Sequence, residues 1–189
     1  MPVHGNLIAG LWIAWLIVWG VSAIGVKRVV RRESRASRLS HMLPLAVVGW
    51  LLAAPHAGGP WLAMRFLPHD PVWFWLGVAL LAAGLGFSVA ARVSLGGNWS
   101  GTVTLKDDHE LIRRGPYRIV RHPIYTGLLM GLLGTALAIG EWRGLLALGL
   151  ATVAFLRKIP IEERFLTDQF GEAYARYRAE VPALVPLPR

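Results

Sequence analysis

The sequence predicts an all-α integral membrane protein with about five transmembrane helices and a C-terminal cytoplasmic amphipathic helical segment. Three observations lead there. The chain has 189 residues, nine of them Trp and only 16% charged, with a mean hydropathy of +0.47. Its apolar residues fall into long runs near the ~20 residues that span a bilayer core. Its basic residues gather in alternate segments between those runs, the pattern of cytoplasmic loops.

The first run extends from about Asn6 to Val26, with Asn6 and Ser22 its only polar side chains. It is too long for a signal-peptide core and lacks a small-residue cleavage motif, so it is expected to stay in the mature protein. A second, from about His41 to Pro55, holds Pro44. The third, from about Val72 to Val93, has Trp73 and Trp75 near one end as interfacial anchors. Two shorter runs follow, Ile124–Gly140 and Gly144–Leu156, separated by "EWR". Each makes about 20–26 Å of helix, short of a ~30 Å core. They read as a hairpin, and Gly127, Gly131, Gly134 and Ala138 would let a neighbouring backbone approach the first of its helices. "GLG" at 84–86 reads in the same way, as a packing notch rather than a ligand cradle.

From about Pro160 the chain turns amphipathic. Pro160 suits a first helical turn, and Glu162 and Glu163 suit a helix N-terminus. Ile161, Phe165, Leu166, Phe170, Tyr174 and Tyr177 keep a helical period that Gly171 divides. The ending "VPALVPLPR" is an extended tail. One domain is expected over 1–189, with transmembrane helices 1–3 in 1–93 and a cofactor-binding core in 94–186. The loop at 56–71 carries only Arg65 and that at 141–143 only Arg143. The multi-pass topology therefore has its N-terminus outside and its C-terminus in the cytoplasm.

Composition also excludes. With no cysteine there are no disulfides, thiolate metal sites or cysteine nucleophiles, and the six histidines form no closely spaced helical pair. No metal site is expected. The net charge of +9 lies beside apolar runs, as in "KRVVRRESRASR" (27–38), which points to membrane lipid headgroups rather than nucleic acid.

The stretch "RRGPYRIVRHPIYTG" (113–127) carries the candidate chemistry. Gly115-Pro116 marks a turn, and Pro123 can start the fourth helix, leaving Arg121 and His122 at its mouth and Tyr125 in its first turn. A cation, an imidazole, a phenol and an anion-friendly helix end then stand together. Taken singly, each residue reads as part of a basic loop and an aromatic belt. Glu162 and Glu163 likewise read as helix charges, with Glu162 paired to Lys158. Together, on one side of the membrane, the carboxylates could hold an ammonium or a ribose and complement a sulfonium. In "SLGGNWSG" (94–101), Trp99 reads as an interface anchor or a lid over an adenine.

"HELIRRGPYRIVRHPIYTG", a helical hairpin, then "EERFLTDQFGEAYARYRAEVPALVP" resembles the isoprenylcysteine carboxyl methyltransferases and their bacterial and archaeal relatives, a group related to the phospholipid N-methyltransferases. The resemblance covers roughly 94–186. It implies a membrane enzyme that uses S-adenosyl-L-methionine near the cytoplasmic face and takes a lipid-like or prenylated acceptor from the bilayer. It assigns cofactor binding to His109, Leu111, Tyr117, His122, Pro123, Tyr125, Glu162 and Glu163, and catalysis to Arg121, His122 and Glu163. Arg121 could orient an anionic acceptor or the methionine carboxylate. The leading expectation is carboxyl O-methylation; the alternatives are amine N-methylation, an NADPH-dependent sterol-type reductase sharing the Arg-His-Pro-x-Tyr segment, and a non-enzymatic membrane helper.

Overall fold

The structure, a computed structural model, describes residues 2–23, 29–32, 35–54, 58–98, 104–106 and 111–186. His109 and Trp99 lie outside the described residues. Six helices make up nearly all of it: α1 (Pro2–Ser22), α2 (Arg35–Ala53), α3 (Pro71–Leu95), α4 (Pro123–Ile139), α5 (Trp142–Phe170) and α6 (Glu172–Glu180). Two short strands, β1 (Val29–Arg32) and β2 (Thr104–Lys106), pair antiparallel. No apolar periodicity announces this ribbon.

Three helices, α1, α3 and α5, contain stretches long and apolar enough to cross a membrane, while α2 and α4 are shorter apolar helices. Leu16, Ile17, Val21, Trp50, Leu76, Val93, Val153 and Leu156 are exposed on their outer faces, as lipid contact requires. The protein is an integral membrane protein built of helices.

Local chemistry sets the helix ends. The Asp70 side chain accepts a hydrogen bond from the Val72 N–H at 2.8 Å, and Pro71 opens α3. Pro123 opens α4, whose C-terminus closes on Gly140 at φ 70°. Arg65 Nη1 donates to the Ile139 carbonyl at 2.7 Å, and Arg143 Nη1 to those of Leu51 and Leu52 at 3.0 and 3.2 Å. These two arginines tie down helix C-termini at the end of the bundle opposite the β ribbon.

Helix α5 departs from the sequence reading. Pro160 does not start a helix but lies inside one that runs unbroken for 29 residues, to Gly171 at φ 51°. A proline inside a helix removes one hydrogen bond and costs roughly 3 kcal/mol. Packing against α2 and α4 on one side of Pro160, and ion pairs to the start of α4 on the other, hold the helix together. At 1.5 Å per residue it is about 43 Å long, so it outreaches a ~30 Å core. Glu162 and Glu163 therefore sit mid-helix, two turns from its C-terminus, not at an N-terminus.

The α3–α4 interface is built on glycine. A Cβ on Gly84 would lie 2.5 Å from the Gly127 carbonyl oxygen, and one on Gly134 would lie 2.4 Å from the Leu81 nitrogen. Backbone meets backbone there. The small residues of the fourth run and the first glycine of "GLG" serve packing, whereas Gly86 faces open space. Helix α1 docks through Trp12 and Trp15, whose indoles donate to Thr135 Oγ1 at 3.1 Å and Ser88 Oγ at 2.8 Å. At the ribbon end, buried Arg92 joins α3 to α1 by donating to the Ser22 carbonyl.

Candidate active site

The hairpin of α4 and α5 brings the start of α4 against the second half of α5. Arg121 Nε and Nη2 both donate to Glu163 Oε1, at 2.9 and 2.6 Å. Tyr125 Oη donates to Glu162 Oε1 at 2.5 Å. His122 stands between the carboxylates, Nδ1 3.4 Å from Glu162 Oε2 and Nε2 3.3 Å from Glu163 Oε1. Its ring stacks on Tyr125, and Tyr125 stacks in turn on Phe155 with centroids 4.5 Å apart.

Burial makes these contacts count. His122 is 7% exposed and Glu163 6%, so either would be costly if its partner were lost. Burial alone would lower the His122 pKa, but hydrogen bonds and charge from Glu162 and Glu163 outweigh it and raise the pKa. The imidazole is biased toward its cation, with a carboxylate at each nitrogen.

Two further cations complete the cluster, Lys158 as the sequence reading paired it and Arg178, which that reading did not place. Lys158 Nζ lies 3.7 Å from Glu162 Oε1, the one pair its i, i+4 spacing announces, and Arg178 Nε lies 3.4 Å from Glu163 Oε2. The two carboxylates thus face Arg121, His122, Lys158 and Arg178. The cationic groups outnumber the two carboxylates in this network.

The C-terminal tail is the other unforeseen part. The Arg121 and His122 N–H groups donate to the Pro182 and Ala183 carbonyls at 2.8 and 3.0 Å. Thr126 Oγ1 donates to the Leu184 carbonyl at 2.8 Å, and Arg121 Nη1 to that of Val181. Pro182 and Pro186 keep residues 181–186 out of a helix, in a bent, irregular path whose carbonyls stay available to this strap. Only the prolines of "VPALVP" hinted at it.

Two cavities flank the cluster. An open cleft of about 430 Å³ is lined by Pro160, Glu163, Arg164, Thr167, Asp168 and Arg178. A narrow slot of about 60 Å³ lies on the other side, between Leu111, Tyr117, Arg121, Leu166, Tyr174 and Tyr177. Leu111 and Tyr117 thus line a slot that meets the cluster at Arg121. Burial, then the charge of Glu162, keeps the Tyr117 phenol well above its ordinary pKa. Pro123 is buried as the first residue of α4 and presents no polar group to a ligand. Among the described residues no cluster could hold a metal ion.

Fold and site together define a helical membrane protein with a buried acid–base network at one end of a hairpin. The family model "Phospholipid methyltransferase" matches residues 72–173, and the chain belongs to that family. The protein-S-isoprenylcysteine O-methyltransferase of Schizosaccharomyces pombe is 34% identical over 113 residues, 58% of this chain and 48% of that one. A probable enzyme of the same name from Oryza sativa subsp. indica is 32% identical over 129 residues, 66% of this chain and 68% of that one. The match spans about half the length of the first relative and two thirds of the second. Among solved structures, the eukaryotic intramembrane Ras methyltransferase ICMT (isoprenylcysteine carboxyl methyltransferase) shares the fold. The TM-score is 0.56 at 21% identity, over 89% of this chain and 52% of that chain.

Proposed function

We infer that this chain transfers a methyl group from S-adenosylmethionine to the carboxylate of a lipid-like, prenylcysteine-type acceptor at the membrane. The observation that carries the reading is the meeting of Arg121, His122 and Tyr125 with Glu162 and Glu163 at the end of the α4–α5 hairpin. The activity named for the fission-yeast and rice relatives supports it.

The donor set fits the cofactor. Glu162, Glu163 and Tyr125 offer oxygens to ammonium and hydroxyl groups, and Arg121 offers a fork to a carboxylate. Leu111 and Tyr117 offer flat apolar walls. When bound, S-adenosylmethionine supplies a sulfonium methyl already activated for transfer. The chain has then to orient the partners and exclude water, and a buried, mutually hydrogen-bonded network does both.

The two acceptor classes differ in their need for a base. An amine acceptor must lose a proton, and His122 or one of the glutamates beside it would have to take it. A carboxylate acceptor needs no base. The activity named for the relatives favours O-methylation, and the reading includes residues 94–186 as the cofactor-binding core, five spans, the N-terminus outside and the site cytoplasmic. Methylation of a phospholipid amine is the second reading, favoured by the family description.

Methyl-tritiated S-adenosylmethionine tests both readings. Purified protein is offered a farnesylcysteine analogue and, separately, phosphatidylethanolamine. An ester product releases volatile methanol in base, whereas an N-methyl product does not. Label recovered only as base-stable amine would replace the first reading with the second.

A further inference from the structure

Two tyrosines on α6 lie one turn apart, both buried, and differ in one respect. The Tyr177 hydroxyl donates to the Tyr117 carbonyl at 2.7 Å. Tyr174, only 1% exposed, has a hydroxyl with no hydrogen-bond partner among the described residues. Arg121 and Glu163 lie close enough to act on that hydroxyl through both charge and hydrogen bonding, yet neither completes a hydrogen bond of ordinary length and angle with it. Buried hydroxyls almost always find a partner, because an unpaired one keeps its full desolvation cost.

The position of Tyr174 accounts for the exception. Its ring lines the narrow slot together with Leu111, Tyr117, Leu166 and Tyr177, and Arg121 closes the slot beside the acid–base network. A buried donor and acceptor thus stands where an apolar wall meets a charged end. A nucleoside has that combination, a flat apolar face with hydroxyls and ring nitrogens along its edge.

We propose that the Tyr174 hydroxyl is a ligand contact, pairing with the hydrogen-bonding edge of the nucleoside part of the methyl donor at the Arg121 end of the slot. At about 60 Å³ the slot takes one edge of such a ligand rather than the whole. The inference rests on the cofactor reading above and adds to it a contact outside the Arg-His-Pro-x-Tyr and Glu-Glu motifs. It also gives the pair of tyrosines different duties: Tyr177 holds α6 to the 115–118 turn, and Tyr174 serves the ligand.

The test compares Tyr174→Phe with Tyr177→Phe in the full chain, purified in detergent. Titration with S-adenosylhomocysteine should show Tyr174→Phe binding roughly three- to tenfold more weakly than wild type. Without ligand, Tyr174→Phe should unfold at or above the wild-type temperature, because it removes an unpaired polar group. Tyr177→Phe should unfold below it, having lost the bond to Tyr117. If wild-type protein binds no S-adenosylhomocysteine, the cofactor reading falls and this contact with it. If wild type binds and Tyr174→Phe matches it within about twofold, the contact alone is overturned. Lowered stability of ligand-free Tyr174→Phe would assign the hydroxyl a structural partner and overturn it equally.

Discussion

At the scale of single residues, the two adjacent glutamates are not equivalent. Glu163 is buried and shared by Arg121, His122 and Arg178; Glu162 is more exposed and is held by Tyr125, His122 and Lys158. Glu163→Gln leaves a buried guanidinium short of its counter-charge, so stability should fall by about 3 kcal/mol. Glu162→Gln keeps an acceptor for Tyr125 and should cost only about 1 kcal/mol. Chemical denaturation in detergent checks both, and equal losses would contradict the asymmetry. His122 adds a pH dependence with a definite sign. Its pKa is raised in the folded state above the ordinary 6.5, so the folded protein binds its proton more tightly than the unfolded chain does. That stabilisation is fully present below about pH 6.5 and is lost as pH rises through the higher folded value. Unfolding midpoints followed from pH 6 to 9 should decline, and His122→Asn should flatten that part of the slope. A slope that survives the substitution would have to arise elsewhere.

At the scale of elements, what could be read from residue order was what depends on local pattern. Apolar runs mark α1, α3 and α4 because lipid-facing helices must be apolar over their length. Pro123 and Gly171 mark a helix start and a helix end because their backbones leave few alternatives. The hairpin constraint also brings residues 121–125 beside 158–163, since "EWR" is too short for any other return. The failures are equally physical. Pro160 reads as a start on local grounds, yet tertiary contacts carry α5 through it. Arg178 reaches Glu163 from 15 positions away and the Val181 carbonyl reaches Arg121 from 60, separations that no local spacing encodes. The α3–α4 seam offers a test of the packing argument. Gly127→Ala places a Cβ 2.5 Å from the Gly84 oxygen and 2.7 Å from the Ser88 nitrogen, both backbone atoms, and should force the helices apart at a cost of about 1–3 kcal/mol. Gly86→Ala meets nothing within 4 Å and should be neutral or gain up to about 1 kcal/mol from helix propensity. Thermal unfolding of the two variants distinguishes a seam from two loosely touching helices; similar behaviour would argue against it.

At the scale of the whole molecule, the ribbon end of the bundle holds everything with chemical potential. The C-terminal ends of α1 and α3 are joined there by Arg92, and β1 and β2 pair across the segments that follow them. The start of α4, the second half of α5 and the tail strap converge at that end as well. Arg65 and Arg143 stand at the opposite end and are consumed in binding helix carbonyls, so they say little about orientation. Among the described residues, the remaining basic residues of the loops are concentrated at the ribbon end, and by the positive-inside rule we propose that this end faces the cytoplasm. We therefore predict a cytoplasmic reporter when the fusion follows Arg189 and an external one when it precedes Asn6. Adding lysines to the segment at 58–70 should weaken this orientation, because charge on either side of a short span competes for the same face. Removing Arg65 should leave the orientation intact and lower stability instead, since its guanidinium bonds the Ile139 and Leu67 carbonyls. Reporters found on the same side would mean that α1 or one of the shorter helices, α2 or α4, does not cross. The site would then remain intact at the ribbon end, but its cytoplasmic placement would have to be decided by probing the accessibility of single cysteines introduced at Arg164 and Arg178.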